Sequence, residues 1–168
     1  MNRAVSIDGQ NHTLTFTNTG RSANLVIVAS GAVVENLTVA NTADNSEWTG
    51  TYCVQFYNGE YTISNLKATG GNVGIIVNGA TATIGENVDV SGNSFGGIEV
   101  SKGTVEGLGD AQLTVTSAII NTTEAYGKPT VWTDGEGAIV IDQTGMTQNS
   151  EVKEGQVQYY IEAGNASE

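Results

Sequence analysis

A short pattern that returns along the chain most constrains its fold. Each copy is a strand-like run that ends near a glycine and is followed by a second apolar run, and the four clear copies lie between residues 24 and 122. With one weaker copy on either side, the marker glycines are Gly9, Gly31, Gly59, Gly79, Gly103 and Gly135. Periods of roughly 20 to 50 residues are typical of solenoids, propellers and arrays, and propeller blades need about 40 residues each. The marker glycines here are 20 to 32 residues apart, which is too close for propeller blades and favours a solenoid.

The first strand of each clear copy predicts which side chains are buried. Side chains alternate between the two faces of a strand, so one alternate set should face the core. We expect this inward set to be Val26 and Val28, Val54 and Phe56, Ile75 and Val77, and Ile98 and Val100. The outward set is then Ile27, Gln55, Ile76 and Glu99, continued by Trp132 in the next copy. An additional apolar residue before each second run, such as Val34 or Ile63, predicts three short strands per repeat.

The constant order of these strands indicates how the copies pack. Equivalent strands of successive copies can pair in parallel about 4.8 Å apart, whereas a β-sandwich would need hairpins that reverse the chain. Apolar residues at helical spacing are nearly absent. The sequence therefore predicts an all-β fold, a single-stranded right-handed parallel β-helix (β-solenoid) of about six coils in one domain, residues 1–168. The coils should span about residues 4–145, and a C-terminal cap or linker strand about residues 146–168.

Charge and composition exclude several functions. Six basic residues against eighteen acidic ones give a formal net charge of -12, which disfavours nucleic acids and anionic lipid headgroups. The single cysteine, Cys53, permits no internal disulfide. No apolar run approaches the 18 residues of a membrane span, so we expect no membrane insertion. Residues 1–20 lack the pattern of a signal peptide, so we expect a fragment of a larger surface protein whose export signal is not in this chain.

The sequence offers no clear catalytic group. His12 is the only histidine and lies in a turn-like segment of the first copy, so a Ser-His or Cys-His site is not expected. Glycosidases need two carboxylates about 5 to 10 Å apart. The positions equivalent to Glu99 in the two preceding copies are Gln55 and Ile76, so Glu99 has no acidic partner there. We therefore expect no catalytic residues.

Two insertions, residues 41–51 and 117–129, interrupt the period and should project from the same side. Loops on a rigid scaffold often bind ligands, although such insertions are also tolerated as plain surface excursions. Our ligand-binding candidates are Trp48, Tyr126, Trp132, Ile76 and Glu99. Asp44, Asn45 and Glu47 offer hard oxygen ligands, so calcium is a possible cofactor; the alternative is a solvated acidic loop. We expect no other cofactor.

The chain resembles pectate-lyase-like right-handed β-helices over about residues 4–142. Residues 5–14, Val-Ser-Ile-Asp-Gly-Gln-Asn-His-Thr-Leu, are similar to the opening coil of that family, and "Asn-Leu-x-Val/Ala" recurs at Asn36 and Asn65. The resemblance is strongest to the adhesive modules of bacterial cell-surface proteins. It implies secretion or display at the cell surface, and contact with glycans or host surfaces. Folds of this type also host enzymes, so the resemblance alone does not fix the function.

These observations give three functional hypotheses. The first is a non-catalytic, adhesin-like bacterial cell-surface module that binds carbohydrate or a host surface protein and adjoins neighbouring domains of the same polypeptide. The alternative is a polysaccharide lyase or glycoside hydrolase, or an inactive relative of one. The third is a purely structural spacer.

Overall fold

Strands make up the regular structure of this protein. A computed structural model describes residues 4–102, 107–122, 130–133, 137–141 and 161–162, and this part of the chain contains no helix and hence no helix long and apolar enough to cross a membrane. The strands are β1 (Ser6–Phe16), β2 (Ser22–Ile27), β3 (Val33–Asn41), β4 (Thr51–Tyr57), β5 (Glu60–Ile63), β6 (Leu66–Thr69), β7 (Val73–Asn78), β8 (Thr81–Ile84), β9 (Val88–Asp89), β10 (Gly96–Ser101), β11 (Ala111–Val115), β12 (Ile119–Ile120), β13 (Val131–Thr133), β14 (Gly137–Ile141) and β15 (Ile161–Glu162). The prediction of an all-β fold is confirmed.

The strands form two sheets in which the paired strands run parallel. One sheet has the order β12-β9-β6-β3-β5-β8-β11-β14, with β1 also paired to β3, and the other has the order β15-β13-β10-β7-β4-β2. Each pairing among the described strands is parallel. The predicted parallel pairing of equivalent strands is therefore confirmed.

Three strands recur in chain order through the central copies. The sets β4-β5-β6, β7-β8-β9 and β10-β11-β12 follow one another, and each strand pairs with its counterpart in the next set. The long β3 takes two of these positions, because Val34 pairs with Ile63 of β5 while Leu37 pairs with Leu66 of β6. The expected three short strands per repeat are present in these copies.

A column of asparagines turns the chain at the same position of four successive copies. Asn11, Asn36, Asn65 and Asn87 all have positive φ, between 50° and 61°. Each directly precedes a residue of the paired series His12, Leu37, Leu66 and Val88. Asparagine tolerates this left-handed conformation better than most residues, and the Asn87 amide donates to Asn65 Oδ1 at 2.9 Å. The repeated Asn-Leu pair is thus a corner followed by a core residue.

The predicted inward set is buried in three copies and exposed in the first, while Ile76 and Glu99, expected to face outward, are buried as well. Val54, Phe56, Ile75, Val77, Ile98 and Val100 are buried as expected. Val26 and Val28, also expected inside, are 46% and 47% exposed, whereas Ile27 is buried. The pairing of Ile27 with Phe56 fixes this register. Because residues 25–28 are all apolar, the sequence offers no alternation from which the register could be read.

Cys53 is a completely buried thiol. Its Sγ lies 3.2 Å from the carbonyl oxygen of Thr69 and 3.7 Å from Asn93 Oδ1. Burial raises the pKa of this thiol to about 12, since a thiolate would lose its hydration there. The thiol is therefore protonated at neutral pH.

The corrected register predicts unequal effects of truncating two adjacent side chains. Ile27→Ala should lower the free energy of unfolding by about 2 kcal/mol or more, because it empties part of the core. Val26→Ala should change it by no more than about 0.5 kcal/mol, because the side chain is half exposed. Denaturant titrations of both variants provide the measurement. A larger loss of stability from Val26→Ala than from Ile27→Ala would instead support the register expected from sequence, with Val26 in the core.

Cys53 should be inert in the folded protein. Because the thiolate is the reactive form and this thiol is buried and protonated, an aromatic disulfide reagent at pH 8 should label it only on the timescale of unfolding. The same reagent should react within seconds to minutes in denaturant. Fast labelling of the native protein would contradict the buried position.

Candidate functional site

The loop between β3 and β4, residues 42–50, is fastened by one buried side chain. Asn72 is completely buried. Its Oδ1 accepts from the Thr49 N–H and the Thr49 hydroxyl, both at 2.9 Å, and from the Thr51 N–H at 3.1 Å. Its amide donates to the carbonyl oxygens of Asn45 and Glu47 at 2.9 Å. The Asn72 side chain therefore forms hydrogen bonds with three residues of the loop, Asn45, Glu47 and Thr49.

Further hydrogen bonds tie the same loop to two turns of later copies. Asn45 donates to the carbonyl oxygen of Gly70 at 3.0 Å. The Ser94 hydroxyl donates to the carbonyl oxygen of Asn45 at 2.6 Å and accepts from the Asn72 amide at 3.0 Å. Asn45 itself is buried. The first insertion is therefore a supported loop that lies against the turns before β7 and β10.

Three aromatic rings extend from this loop along the molecule; Trp48, Phe95 and Trp132 are here called the aromatic row. The ring centroids of Trp48 and Phe95 are 4.4 Å apart with an interplanar angle of 45°, and those of Phe95 and Trp132 are 6.4 Å apart in an edge-on arrangement. Trp48 is 53% exposed, whereas Trp132 is buried. The row therefore presents one indole to solvent and supports it with two further rings.

The predicted outward stripe exists, with one correction. Gln55, Ile76, Glu99 and Trp132 are in register across β4, β7, β10 and β13. The first member is Val26, which pairs with Gln55, so the expected Ile27 was wrong for the reason of register given above. Ile76, Glu99 and Trp132 are all buried. Buried side chains present little surface to a ligand, and the binding role of these three residues stays a prediction.

Glu99 has a buried carboxyl group on this stripe. Its Oε2 accepts a hydrogen bond of 2.8 Å from the hydroxyl of Tyr52. Tyr52 lies on β4 and Glu99 on β10, so the bond reaches across β7, where Ile76 lies beside Glu99. A hydrogen bond offsets the cost of burying a polar group. This bond therefore stabilises the buried Glu99 side chain and joins β4 to β10.

Two of the three calcium candidates, Asp44 and Asn45, form side-chain hydrogen bonds in or beside the loop. The Asp44 carboxylate accepts the Ser46 N–H at 3.0 Å, and hydrogen bonds from the Ser46 side chain and backbone lower the pKa of Asp44. The Asn45 side-chain oxygen lies 3.2 Å from the Thr49 hydroxyl, whose single hydrogen also faces Asn72 Oδ1. Within the part of the chain that the structure describes, no group of three or more His, Cys, Asp and Glu is arranged to hold a metal ion. Calcium binding by Asp44, Asn45 and Glu47 stays a prediction.

Sequence reasoning missed three residues that shape this site. Phe95 and Asn72 lie in turns outside the regular strand pattern, and Tyr52 lies at the start of β4. Their closeness to residues 48 and 99 depends on which strands pair, so no local signal indicates it. Tyr126, the remaining binding candidate, lies outside the described residues.

Comparison of the chain with protein-family models, with curated proteins and with solved structures gives no significant match.

Replacing Asn72 should release the Trp48 loop. Asn72→Asp keeps the shape of the side chain but removes the amide donors, so the carbonyl oxygens of Asn45 and Glu47 would face a carboxylate. We expect a loss of about 2 kcal/mol or more in the free energy of unfolding. We also expect easier quenching of tryptophan fluorescence by acrylamide. Asn11→Asp, the same change at an exposed corner, is the matched control. Equal results for the two variants would contradict the role given to Asn72.

Proposed function

We propose that this chain is a non-catalytic, adhesin-like module of a bacterial cell surface, built as a right-handed parallel β-helix of the pectate-lyase-like type. In this proposal its loops bind carbohydrate or a host surface protein. The β-helix is supported by three-strand repeats whose equivalent strands pair in parallel and by the corner asparagines at matching positions of successive repeats. Extracellular display rests on the family resemblance and is part of the proposal.

The observation that most supports binding is the half-exposed Trp48 on a loop held by buried hydrogen bonds. Tryptophan is enriched among the residues that contribute most to binding energy at interfaces, and the Trp48 side chain is 53% exposed. The indole rests on Phe95, and the loop is fixed by Asn72. A ligand that packs on this ring would not have to order the loop, which favours affinity. The apolar C–H face of a sugar ring suits such a flat aromatic surface.

The alternative, a polysaccharide lyase or hydrolase, has one observation in its favour. Glu99 is a buried carboxyl group with a tyrosine partner, as catalytic carboxylates often are. Lyases also need a base that removes a proton. Two of the three basic side chains in the described part, Lys67 and Lys102, form ion pairs with Asp89 and Asp110, with N–O distances of 2.7 and 3.4 Å. Binding is therefore the function that the geometry supports best.

Trp48 should be required for binding. We expect the chain to bind at least one member of a panel of plant, bacterial and host glycans. Trp48→Ala should weaken that interaction about tenfold or more, because a central aromatic contact is lost. Trp48→Phe should retain part of it. The measurement is titration calorimetry after an initial array screen, with Val33→Ala as a matched control at an exposed apolar residue away from the loop.

Three outcomes distinguish the hypotheses. Binding to no glycan or host surface protein would favour a structural spacer. If Trp48→Ala leaves binding unchanged, the binding site does not include Trp48. Release of unsaturated products or new reducing ends from the same polysaccharides, abolished by Glu99→Gln, would establish the enzyme instead.

A further inference from the structure

The exposed ring of Trp48 is suited to a positively charged group. Among the aromatic side chains, tryptophan forms the strongest cation–π interactions, in which a cation lies over the face of the ring. Phe95 contacts this indole at a centroid distance of 4.4 Å, and more than half of Trp48 remains exposed. The exposed part of the ring is therefore accessible to a cation as well as to the C–H face of a sugar.

Two exposed carboxylates share the loop with this ring. Asp44 and Glu47 are both exposed, and neither forms an ion pair in the described part of the chain. Residues 42–50 contain no basic residue. Hydrogen bonds from Ser46 lower the pKa of Asp44, so its carboxyl group stays ionised at mildly acidic pH. Both negative charges therefore lie within four residues of Trp48, on a loop that hydrogen bonds hold in place.

The surroundings of the loop do not offset this negative charge. The two turns that the loop lies against, residues 70–72 and 91–95, contain no charged residue. The basic residue beside the loop is Arg21, whose Cα, Cβ and Cγ atoms lie against Gly50. One arginine thus accompanies two carboxylates, in a chain whose formal net charge is -12. A negatively charged ligand would be repelled from this surface, and a positively charged one would be attracted to it.

We propose that the ligand of Trp48 is a glycan with free, protonated amino groups, of the glucosamine type. This inference rests on the proposed binding role of Trp48 and adds the charge of the ligand to it. The C–H face of one sugar ring packs on the indole, and an ammonium group of the glycan pairs with Asp44 or Glu47. A single exposed indole is small beside the surface of about 800 Å² that each partner buries in a standard protein–protein interface. The size of the site therefore favours a sugar over a basic segment of a protein.

Two oligosaccharides that differ only in acetylation test this inference. Titration calorimetry at pH 5.5 compares the glucosamine tetramer, whose amines are then largely protonated, with the uncharged N-acetylglucosamine tetramer. We expect the dissociation constant of the glucosamine tetramer to be lower by about tenfold or more. This difference should shrink as the salt concentration rises, because salt screens exposed charges. Equal affinities, or tighter binding of the acetylated tetramer, would overturn the inference and leave the binding role of Trp48 in place.

Removal of the loop charges tests the inference in the protein. Asp44→Asn/Glu47→Gln should weaken binding of the glucosamine tetramer about tenfold or more, while acrylamide quenching of tryptophan fluorescence stays unchanged because the loop keeps its shape. The matched control is Glu60→Gln/Glu86→Gln, which removes the same charge at exposed positions outside the loop and should weaken binding far less. An equal loss of affinity in the two double variants would overturn the inference.

Two further outcomes separate this inference from the proposed function. If a lysine-rich peptide binds, Trp48→Ala abolishes that binding and the glucosamine tetramer does not bind, the amino sugar is overturned and the ligand is a basic protein segment. If neither tetramer, no other glycan and no peptide binds, the proposed function falls and the inference falls with it.

Discussion

Parallel pairing between strands that are one repeat apart in sequence is the constraint on which the other features depend. It aligns Leu25, Val54, Ile75, Ile98 and Val131 in one register, and it brings the corner asparagines together on another part of the repeat. Because side chains alternate along a strand, a shift of one residue would exchange the inner and outer faces. A single choice of register therefore determines the core, the corners and the outward stripe.

The sequence contains most of this register but not all of it. Regular alternation in β4, β7 and β10 identifies the inward core residues correctly but not the burial of Ile76 and Glu99 on the other face. Asn-Leu pairs mark corners because few residues accept a positive φ. Residues 25–28 are apolar without interruption, so alternation cannot choose between Val26 and Ile27, and only pairing with β4 decides. The contacts of Trp48 with Phe95 and of Tyr52 with Glu99 join positions 47 residues apart in both cases. Such contacts follow from strand pairing and have no local sequence signal.

Two exposed apolar features among the described residues, Trp48 and Val26, have different physical characters. Trp48 is exposed on a loop whose backbone groups are bound by the buried Asn72, so its surface is rigid while the strands beneath it remain fully paired. Val26 is exposed on a strand whose outer edge is unpaired among the described residues. A supported aromatic ring can accept ligands of many shapes, because packing on a flat face requires little backbone complementarity. A strand edge accepts only another extended strand, since main-chain hydrogen bonds dominate that interaction.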